Sequence, residues 1–268
     1  MRSIPTRLRA AVLVLPVALA ISAGCDIAMA DLAEKETAEW RKSYELSPGG
    51  RVEIGNVNGR IRVQTGEGNT VEVVALKSAR GANVDAAKQT LGRIEIRESS
   101  SSEGIKVDTH FERASSSLFS HSNWQVEYTV RVPAAANVKL STVNGGVEVT
   151  GVSGRVVAET TNGGIVARGI SGMIEASTTN GGVDVELARI DQGGAKLECT
   201  NGGITLGLPS DSSATLSARV TNGGIETGGL SIKMRGESSK RRLDGDLNGG
   251  GPRISMECTN GGIELVKR

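Results

Sequence analysis

The sequence predicts an all-β protein, specifically a β-solenoid with an N-terminal β-rich cap and one short helix. Three observations lead to this class. The tripeptide Asn-Gly-Gly recurs through the second half of the chain, and the residues around each copy alternate between apolar and polar. Glycine is abundant, with 36 among 268 residues, whereas the chain has only two Trp, two Tyr and two Phe, all before residue 129. The second half must therefore build its core from aliphatic side chains.

The Asn-Gly-Gly repeat organises residues 138–268. Its asparagines are separated by 18, 18, 21, 21 and 38 residues, and they are Asn144, Asn162, Asn180, Asn201, Asn222 and Asn260. The positions six, four and two residues before each Asn are apolar or small, and the position three before is polar. This period of two predicts a strand with one buried face. Since the last interval is close to two periods, residues 229–252 form either an extra coil or a hairpin.

A corner is expected at each Gly-Gly pair. The inward positions before and after it are separated by an odd number of residues, which simple alternation cannot produce. Glycine reaches positive φ without steric cost, and Asn tolerates the left-handed region better than most residues. We expect each copy to be one coil, with equivalent strands about 4.8 Å apart along the axis. The stacked Asn side chains are then expected to form a hydrogen-bonded ladder, a structural role that needs no ligand.

The region before the repeats is expected to close the open end of the solenoid. Residues 51–137 are assigned to a β-rich cap and residues 31–50 to a linker. Alternation predicts strands at 70–77, 93–98, 105–111 and 124–132. Asn83 is expected to cap a short helix that ends at Leu91. A degenerate copy of the repeat around Asn58 is either a first coil or a strand packed against the end of the solenoid.

Residues 1–30 have the pattern of an export signal. Three arginines precede the apolar stretch 10–23, which is shorter than the ~20 residues of a membrane-spanning helix. Two processing routes stay open: cleavage after Ala30 at an Ala-x-Ala site, or a lipoprotein signal that ends at residue 24, with Cys25 as the lipidated residue. Either route predicts an extracytoplasmic protein, periplasmic or in the cell envelope, with lipid anchoring through Cys25 in the second case.

Several segments together carry a family resemblance. They are the strand Tyr128-Thr-Val-Arg-Val-Pro133, the Asn-Gly-Gly coils, the segment from Arg241 to Arg253, and the closing Cys258-Thr-Asn-Gly-Gly-Ile-Glu-Leu265. Over about residues 45–268 the chain resembles the bacterial DUF4097-like "putative adhesin" β-strand-repeat family. The resemblance implies an envelope-associated, right-handed β-helix, and some relatives lie near envelope-stress signalling genes. The family has no established catalytic residues, so none is transferred.

No catalytic residue, metal ligand or cofactor is assigned. His110 and His121 lack the partners of a metal motif. Lys and Arg number 31 against 30 for Asp and Glu, and this balance argues against nucleic-acid binding. Carboxylates in the outward columns are expected to alternate with neutral residues, since stacked like charges would destabilise a sheet.

Two further groups of residues have competing interpretations. Cys199 and Cys258 share the column two before the Asn, and coils stacked in chain order would separate them by roughly 10 Å or more. Disulfide Cα atoms rarely lie more than ~7 Å apart, so two buried free thiols are predicted.

A basic segment is either a contact loop for anionic envelope polymers or a solvated hairpin whose charges discourage edge pairing. Its residues are Lys233, Arg235, Lys240, Arg241 and Arg242.

The resulting hypothesis is an exported, non-catalytic β-solenoid that acts as a structural or interaction module at the bacterial cell envelope. The partner would be an envelope protein or a polysaccharide. Two alternatives stay open: a carbohydrate-active β-helix enzyme, and an accessory protein in envelope-stress signalling. Three clustered carboxylates on adjacent coils would favour the enzyme.

Overall fold

The structure, a computed structural model, describes residues 33–112, 123–236 and 239–268. Within them, Ala33–Arg268 form one compact unit. None of the helices in these ranges is long and apolar enough to cross a membrane. The predicted export signal at residues 1–30, with Cys25, and His121 lie outside the described residues.

The described chain is built from strands and one helix. In chain order the first elements are β1 (Glu34–Glu45), β2 (Arg51–Gly55), β3 (Ile61–Gly66), β4 (Thr70–Gly81), α1 (Val84–Gly92), β5 (Ile94–Ser100), β6 (Gly104–Phe111) and β7 (Asn123–Pro133). The next are β8 (Asn137–Asn144), β9 (Val147–Thr150), β10 (Val156–Asn162), β11 (Ile165–Ile170), β12 (Ile174–Asn180), β13 (Val183–Leu187), β14 (Ala195–Asn201) and β15 (Ile204–Leu208). The last are β16 (Ala214–Asn222), β17 (Ile225–Glu226), β18 (Ile232–Met234), β19 (Arg242–Leu247), β20 (Arg253–Asn260) and β21 (Ile263–Lys267).

Two long sheets face each other across one core. Sheet A has the order β1-β4-β7-β3-β9-β11-β13-β15-β21-β17, and sheet B has the order β18-β19-β16-β20-β14-β12-β10-β8-β2-β6-β5. Parallel pairing joins equivalent strands, as in Val156 against Ile174 and Ile165 against Val183. Each layer contributes one strand to each sheet. This arrangement confirms the predicted β-solenoid.

The alternating columns form the buried interior. Their side chains six residues before the repeat Asn are at most 4% exposed: Val138, Val156, Ile174, Ala195, Leu216 and Ile254. Three residues after the Asn, Val147, Ile165, Val183, Ile204 and Ile263 are at most 1% exposed. The inward columns before and after the Asn point into the same core because a corner separates the two strands, as the odd spacing predicted.

The layers do not stack in chain order at either end. In the described chain their order is β6–β7, β2–β3, β8–β9, β10–β11, β12–β13, β14–β15, β20–β21 and β16–β17. The copy around Asn58 is thus a full coil, with Val52 opposite Val138. At the other end the last copy lies between two earlier ones, with Cys258 opposite both Cys199 and Val220. We call layer β20–β21 the inserted layer.

The N-terminal region extends the same two sheets. Residues 34–45 were expected within a linker, but they form β1, which pairs antiparallel with β4 along its whole length. Their alternation of exposed and half-buried residues is the reason, because Trp40 and Tyr44 pack against the core. The predicted strands at 70–77, 93–98, 105–111 and 124–132 correspond to β4, β5, β6 and β7.

The predicted helix is present as α1. Asn83 is its N-cap, and its side-chain oxygen accepts a hydrogen bond from the backbone N–H of Ala86 at 2.8 Å. The helix ends at Gly92, one residue beyond the prediction. Ala87 is fully buried, so the helix packs against the end of the solenoid through a small residue.

Candidate binding face

The first glycine of each repeat brings two backbones into contact. A Cβ atom at Gly163 would lie 2.0 Å from the carbonyl oxygen of Gly145 in the next layer, and a Cβ at Gly181 would lie 2.1 Å from that of Gly163. The repeat Asn is not left-handed, because Asn248 is the one non-glycine residue of the described chain with positive φ. Close approach of the layers therefore explains the glycine, and the Asn has another role.

That role is a ladder of side-chain hydrogen bonds along the corner. Asn162 Nδ2 donates to Asn144 Oδ1 at 2.8 Å, and Asn180 Nδ2 donates to Asn162 Oδ1 at 2.9 Å. The same bond continues through every layer that has this Asn, in the order Asn58, Asn144, Asn162, Asn180, Asn201, Asn260 and Asn222. The expected ladder is thus present, and it includes Asn58 of the degenerate copy.

The column two residues before the Asn has a role that the sequence did not suggest. Its side chains were interpreted only as small and inward. Thr160 and Thr178 are buried, and their hydroxyls donate to the carbonyls of Gly145 and Gly163 at 2.9 and 2.8 Å. The Cys199 thiol makes the equivalent bond to the Gly181 carbonyl at 3.1 Å. Recurrence of Thr and Cys, both donors, was the signal available in the sequence.

The ladder predicts a position-dependent effect of Asn→Asp substitution. Asn180→Asp keeps an acceptor for Asn201 but loses the donor to Asn162. We expect the variant to lose about 1 kcal/mol of unfolding free energy at pH 7, because one bond is lost and two oxygens face each other. Protonation restores a donor, so the folded state raises the pKa of the new carboxyl. Stability is therefore recovered at low pH and lost as the pH rises through that pKa.

Asn58→Asp is the matched control. Asn58 Oδ1 accepts from Asn144, and its amide donates to no side chain of the described residues. Urea unfolding of both variants at pH 4 and pH 7 measures the difference. Equal losses at the two positions would contradict the ladder as a source of stability.

A column of threonines runs beside the ladder on the outer face of sheet B. It occupies the exposed position just before five of the seven ladder asparagines, whereas Asn58 and Asn144 follow Val57 and Val143. Its members in layer order are Thr161, Thr179, Thr200, Thr259 and Thr221. We call this set the threonine column. A shallow groove of about 490 Å³ is lined by four of its members together with Glu198 and Glu257. Hydroxyl and amide groups therefore repeat along this face about every 4.8 Å.

A charged groove lies on the same face toward the N-terminal layers. It has a volume of about 550 Å³ and is lined by side chains of four adjacent layers, including Arg51, Lys139, Arg155, Glu159 and Glu175. Arg155 and Glu175 form an ion pair at 2.7 Å. Lys139 and Glu159 have no ion pair with a described residue. The outer face of sheet B is therefore ordered, polar and of mixed charge.

The inserted layer changes the interpretation of the cysteines. Cys199 and Cys258 lie in register on adjacent strands, so they are not two coils apart. The distance argument against a disulfide is wrong, because the layers do not follow chain order. Both residues are buried free thiols in the structure. Burial, with Cys258 nearby, raises the pKa of Cys199 to about 11, and burial also raises the pKa of Cys258.

We expect these thiols to resist alkylation in the folded protein. A rise in the pKa of Cys199 from 9.0 to about 11 lowers the thiolate fraction at pH 8 by roughly 100-fold. Peptide mapping by mass spectrometry after iodoacetamide treatment should show slow labelling of Cys199 and Cys258 without urea and rapid labelling in urea. Rapid labelling in the native protein would contradict their burial.

Like charges lie side by side at the inserted layer, and the insertion itself brings the first of the two pairs together. Glu198 lies opposite Glu257, and Glu226 lies opposite Glu264, so the expected interleaving fails at this layer. The first pair is compensated, because Lys196 contacts Glu198 at 2.7 Å and Arg219 contacts Glu257 at 3.8 Å.

The basic segment forms a hairpin. β18 and β19 pair antiparallel, and β19 pairs with β16, which resolves the choice left open for residues 229–252. Arg235 pairs with Asp246 at 2.6 Å and Arg242 with Asp244 at 2.8 Å. Lys233, Lys240 and Arg241 are exposed on the same hairpin. Part of the positive charge is therefore neutralised within the hairpin.

His110 lies on β6 and is half-buried. In the described ranges, no three His, Cys, Asp or Glu residues come together in a way that could hold a metal ion. What the geometry displays is an ordered polar surface on a stack of layers.

This architecture defines a β-solenoid with two sheets and a hydrogen-bonded corner. A family model described as Toastrack DUF4097 matches residues 51–265. The chain belongs to this family, which confirms the resemblance stated from the sequence.

Three solved structures match the chain at low identity. A "putative cell adhesion protein" of Clostridium sporogenes is 13% identical, with a TM-score of 0.46, over 86% of this chain and 100% of that one. A "putative adhesin" of Bacteroides fragilis is 10% identical, with a TM-score of 0.31, over 85% and 97%. A "putative lipid binding protein" of Parabacteroides distasonis is 10% identical, with a TM-score of 0.32, over 85% and 96%. Among curated proteins none matches significantly.

Proposed function

We propose that this chain is an exported, non-catalytic interaction module of the bacterial cell envelope, which binds an envelope polysaccharide through the outer face of sheet B. The observation that carries the proposal is the threonine column beside the asparagine ladder. Groups of one chemical kind recur there at a fixed interval on a rigid sheet. A ligand with its own repeated polar groups can form the same contact on each layer, so weak single contacts add up.

The test is retention of the purified protein on isolated cell envelopes. Replacing Thr179, Thr200 and Thr259 by Val removes three hydroxyls while keeping the β-branched shape that suits a strand. Loss of three hydrogen bonds is expected to lower retention at least about tenfold. The matched control replaces Thr150 and Thr205 by Val on sheet A and is expected to bind as the parent does. Equal retention of all three proteins would contradict the proposal.

The class of ligand is separated by treating the envelopes with protease before binding. A polysaccharide ligand survives the treatment, whereas loss of binding would indicate an envelope protein. Arg241→Glu provides a second arm, because it tests the basic hairpin as a contact for anionic polymers. Reduced retention of that variant alone would place the contact on the hairpin and not on the threonine column.

Export and anchoring are part of the proposal and have their own measurement. The mass of the mature protein distinguishes cleavage after Ala30 from processing before Cys25. Incorporation of labelled palmitate, abolished by Cys25→Ala, would support the lipid anchor. A mature protein that begins at residue 31 without label would contradict it.

A further inference from the structure

β1 is a long edge strand with one free side. It has 12 residues, pairs with β4 along its whole length, and is the last strand of sheet A. No strand in the described part of the chain pairs with its outer edge. At the far end, by contrast, the edges are β17 with two residues and β18 with three. Short edge strands prevent pairing with other chains, so β1 offers backbone donors and acceptors that the other end does not.

The edge is held in place by contacts with sheet B. The Lys42 ammonium and the Tyr44 hydroxyl both contact the carboxylate of Glu98 on β5. These two partners lower the pKa of Glu98. Trp40 packs against the core from the same side of the strand. β1 therefore presents an ordered edge, and pairing with another strand would not have to order it first.

The outward residues of β1 are complementary to themselves. The odd-numbered residues from Lys35 to Glu45 are all exposed and share the outer face of sheet A. In an antiparallel pair with a second copy centred on Trp40, every outward pair is favourable. These pairs are Lys35 with Glu45, Thr37 with Ser43, and Glu39 with Arg41.

The four nearest two-fold registers lack this property, and registers displaced further leave much of β1 unpaired. An axis at Glu39 or at Arg41 would place that residue against its own copy. An axis at Ala38 would place Lys35 against Arg41, and an axis at Lys42 would place Glu39 against Glu45. Like charges directly opposite each other destabilise a sheet, so the charge pattern and the length of the pairing together select the register centred on Trp40.

We propose that β1 is a homodimerisation edge: two copies of this chain pair antiparallel through β1 about a two-fold axis at Trp40, which joins their A sheets into one. The interface is isologous, since each pair of residues occurs twice. It is separate from the outer face of sheet B, so the proposal does not depend on the proposed ligand.

Charge reversal tests the register. Glu39→Arg places two arginines opposite each other twice in the dimer, and Arg41→Glu does the same with carboxylates. Each variant is expected to raise the dimer dissociation constant at least about tenfold by sedimentation or light scattering. The double variant with both changes restores opposite charges and is expected to dimerise as the parent does. Arg131→Glu, an exposed site on β7 that is paired with Glu72, is the control and should leave dimerisation unchanged.

Crosslinking tests the same register without changing charge. Thr37→Cys and Ser43→Cys together are expected to form a disulfide-linked dimer on oxidation, because the two positions face each other across the axis. Each single variant should not, since its own copy would lie about 20 Å away. A parent protein that is monomeric at all concentrations, a double charge variant that stays dissociated, or a crosslink in the Thr37→Cys variant alone would overturn the proposal.

Discussion

Gly181→Ala is expected to destabilise the protein by about 3 to 5 kcal/mol. Gly181 has a φ of +150°, and an added Cβ would lie 2.1 Å from the backbone carbonyl oxygen of Gly163. Neither group can move without separating two layers, and this separation would also stretch the hydrogen bond between Asn180 and Asn162. Thermal unfolding followed by circular dichroism should show a decrease in Tm of roughly 10 °C.

The neighbouring residue provides the control. An added Cβ at Gly182 would lie 3.6 Å from the Gly203 carbonyl, an ordinary contact. Gly182→Ala is therefore expected to change the unfolding free energy by no more than about 1 kcal/mol. If the two variants were equally unstable, a general cost of replacing Gly by Ala would explain the result. The close approach of the layers at Gly181 would then not be its cause.

Tyr128→Ala is expected to destabilise the protein by about 3–5 kcal/mol, because it removes one of the largest side chains of the core. Tyr128 is 1% exposed, and its hydroxyl lies 2.8 Å from the Thr109 hydroxyl. Tyr128→Phe keeps the ring and is expected to lose only about 1 kcal/mol, the net value of one buried hydrogen bond. Urea unfolding of the two variants separates packing from hydrogen bonding. Similar losses of unfolding free energy would contradict the conclusion that the ring of Tyr128 stabilises the protein mainly by packing.

The same tyrosine predicts a dependence on alkaline pH. Burial raises the pKa of Tyr128 from 10.0 to about 12. Because the folded pKa lies above the unfolded one, the stabilisation is complete below pH 10 and is lost as the pH rises toward 12. The loss is about 2–3 kcal/mol. Tyr128→Phe should remove this part of the pH dependence. If the unfolding free energy of the variant fell between pH 10 and pH 12 as steeply as that of the parent, ionisation of Tyr128 would not be the cause.

Period-two alternation was sufficient to predict most of the fold. The inward columns around each Asn have the same spacing in every copy. Side chains that are buried at every second residue can only belong to a strand. Asn83 before a polar helical segment was likewise sufficient for α1. These features are local, so the residues that determine them lie within one copy of the repeat.

The order of layers could not be predicted in the same way. All copies present similar columns, so the strand that ends at Asn201 can pair with the one that ends at Asn222 or with the one that ends at Asn260. The choice depends on the connections between copies and on the β18–β19 hairpin, which are non-local features. The errors about Cys199 and Cys258 and about the opposed Glu198 and Glu257 follow from this one assumption. The threonine column was visible in the sequence, but its proximity to the groove was not.

The inserted layer has a consequence for how the chain folds. When the chain emerges from its N-terminus, β16 and β17 appear before the strands that will separate them from β14 and β15. Matching columns allow β16 to stack directly on β14, in the register that places Asn222 against Asn201. The nascent chain must therefore either hold open a gap one layer wide or break a nearly native pairing when β20 arrives. Non-local pairing of this kind is slow, so completion of this end is expected to be the late step of folding.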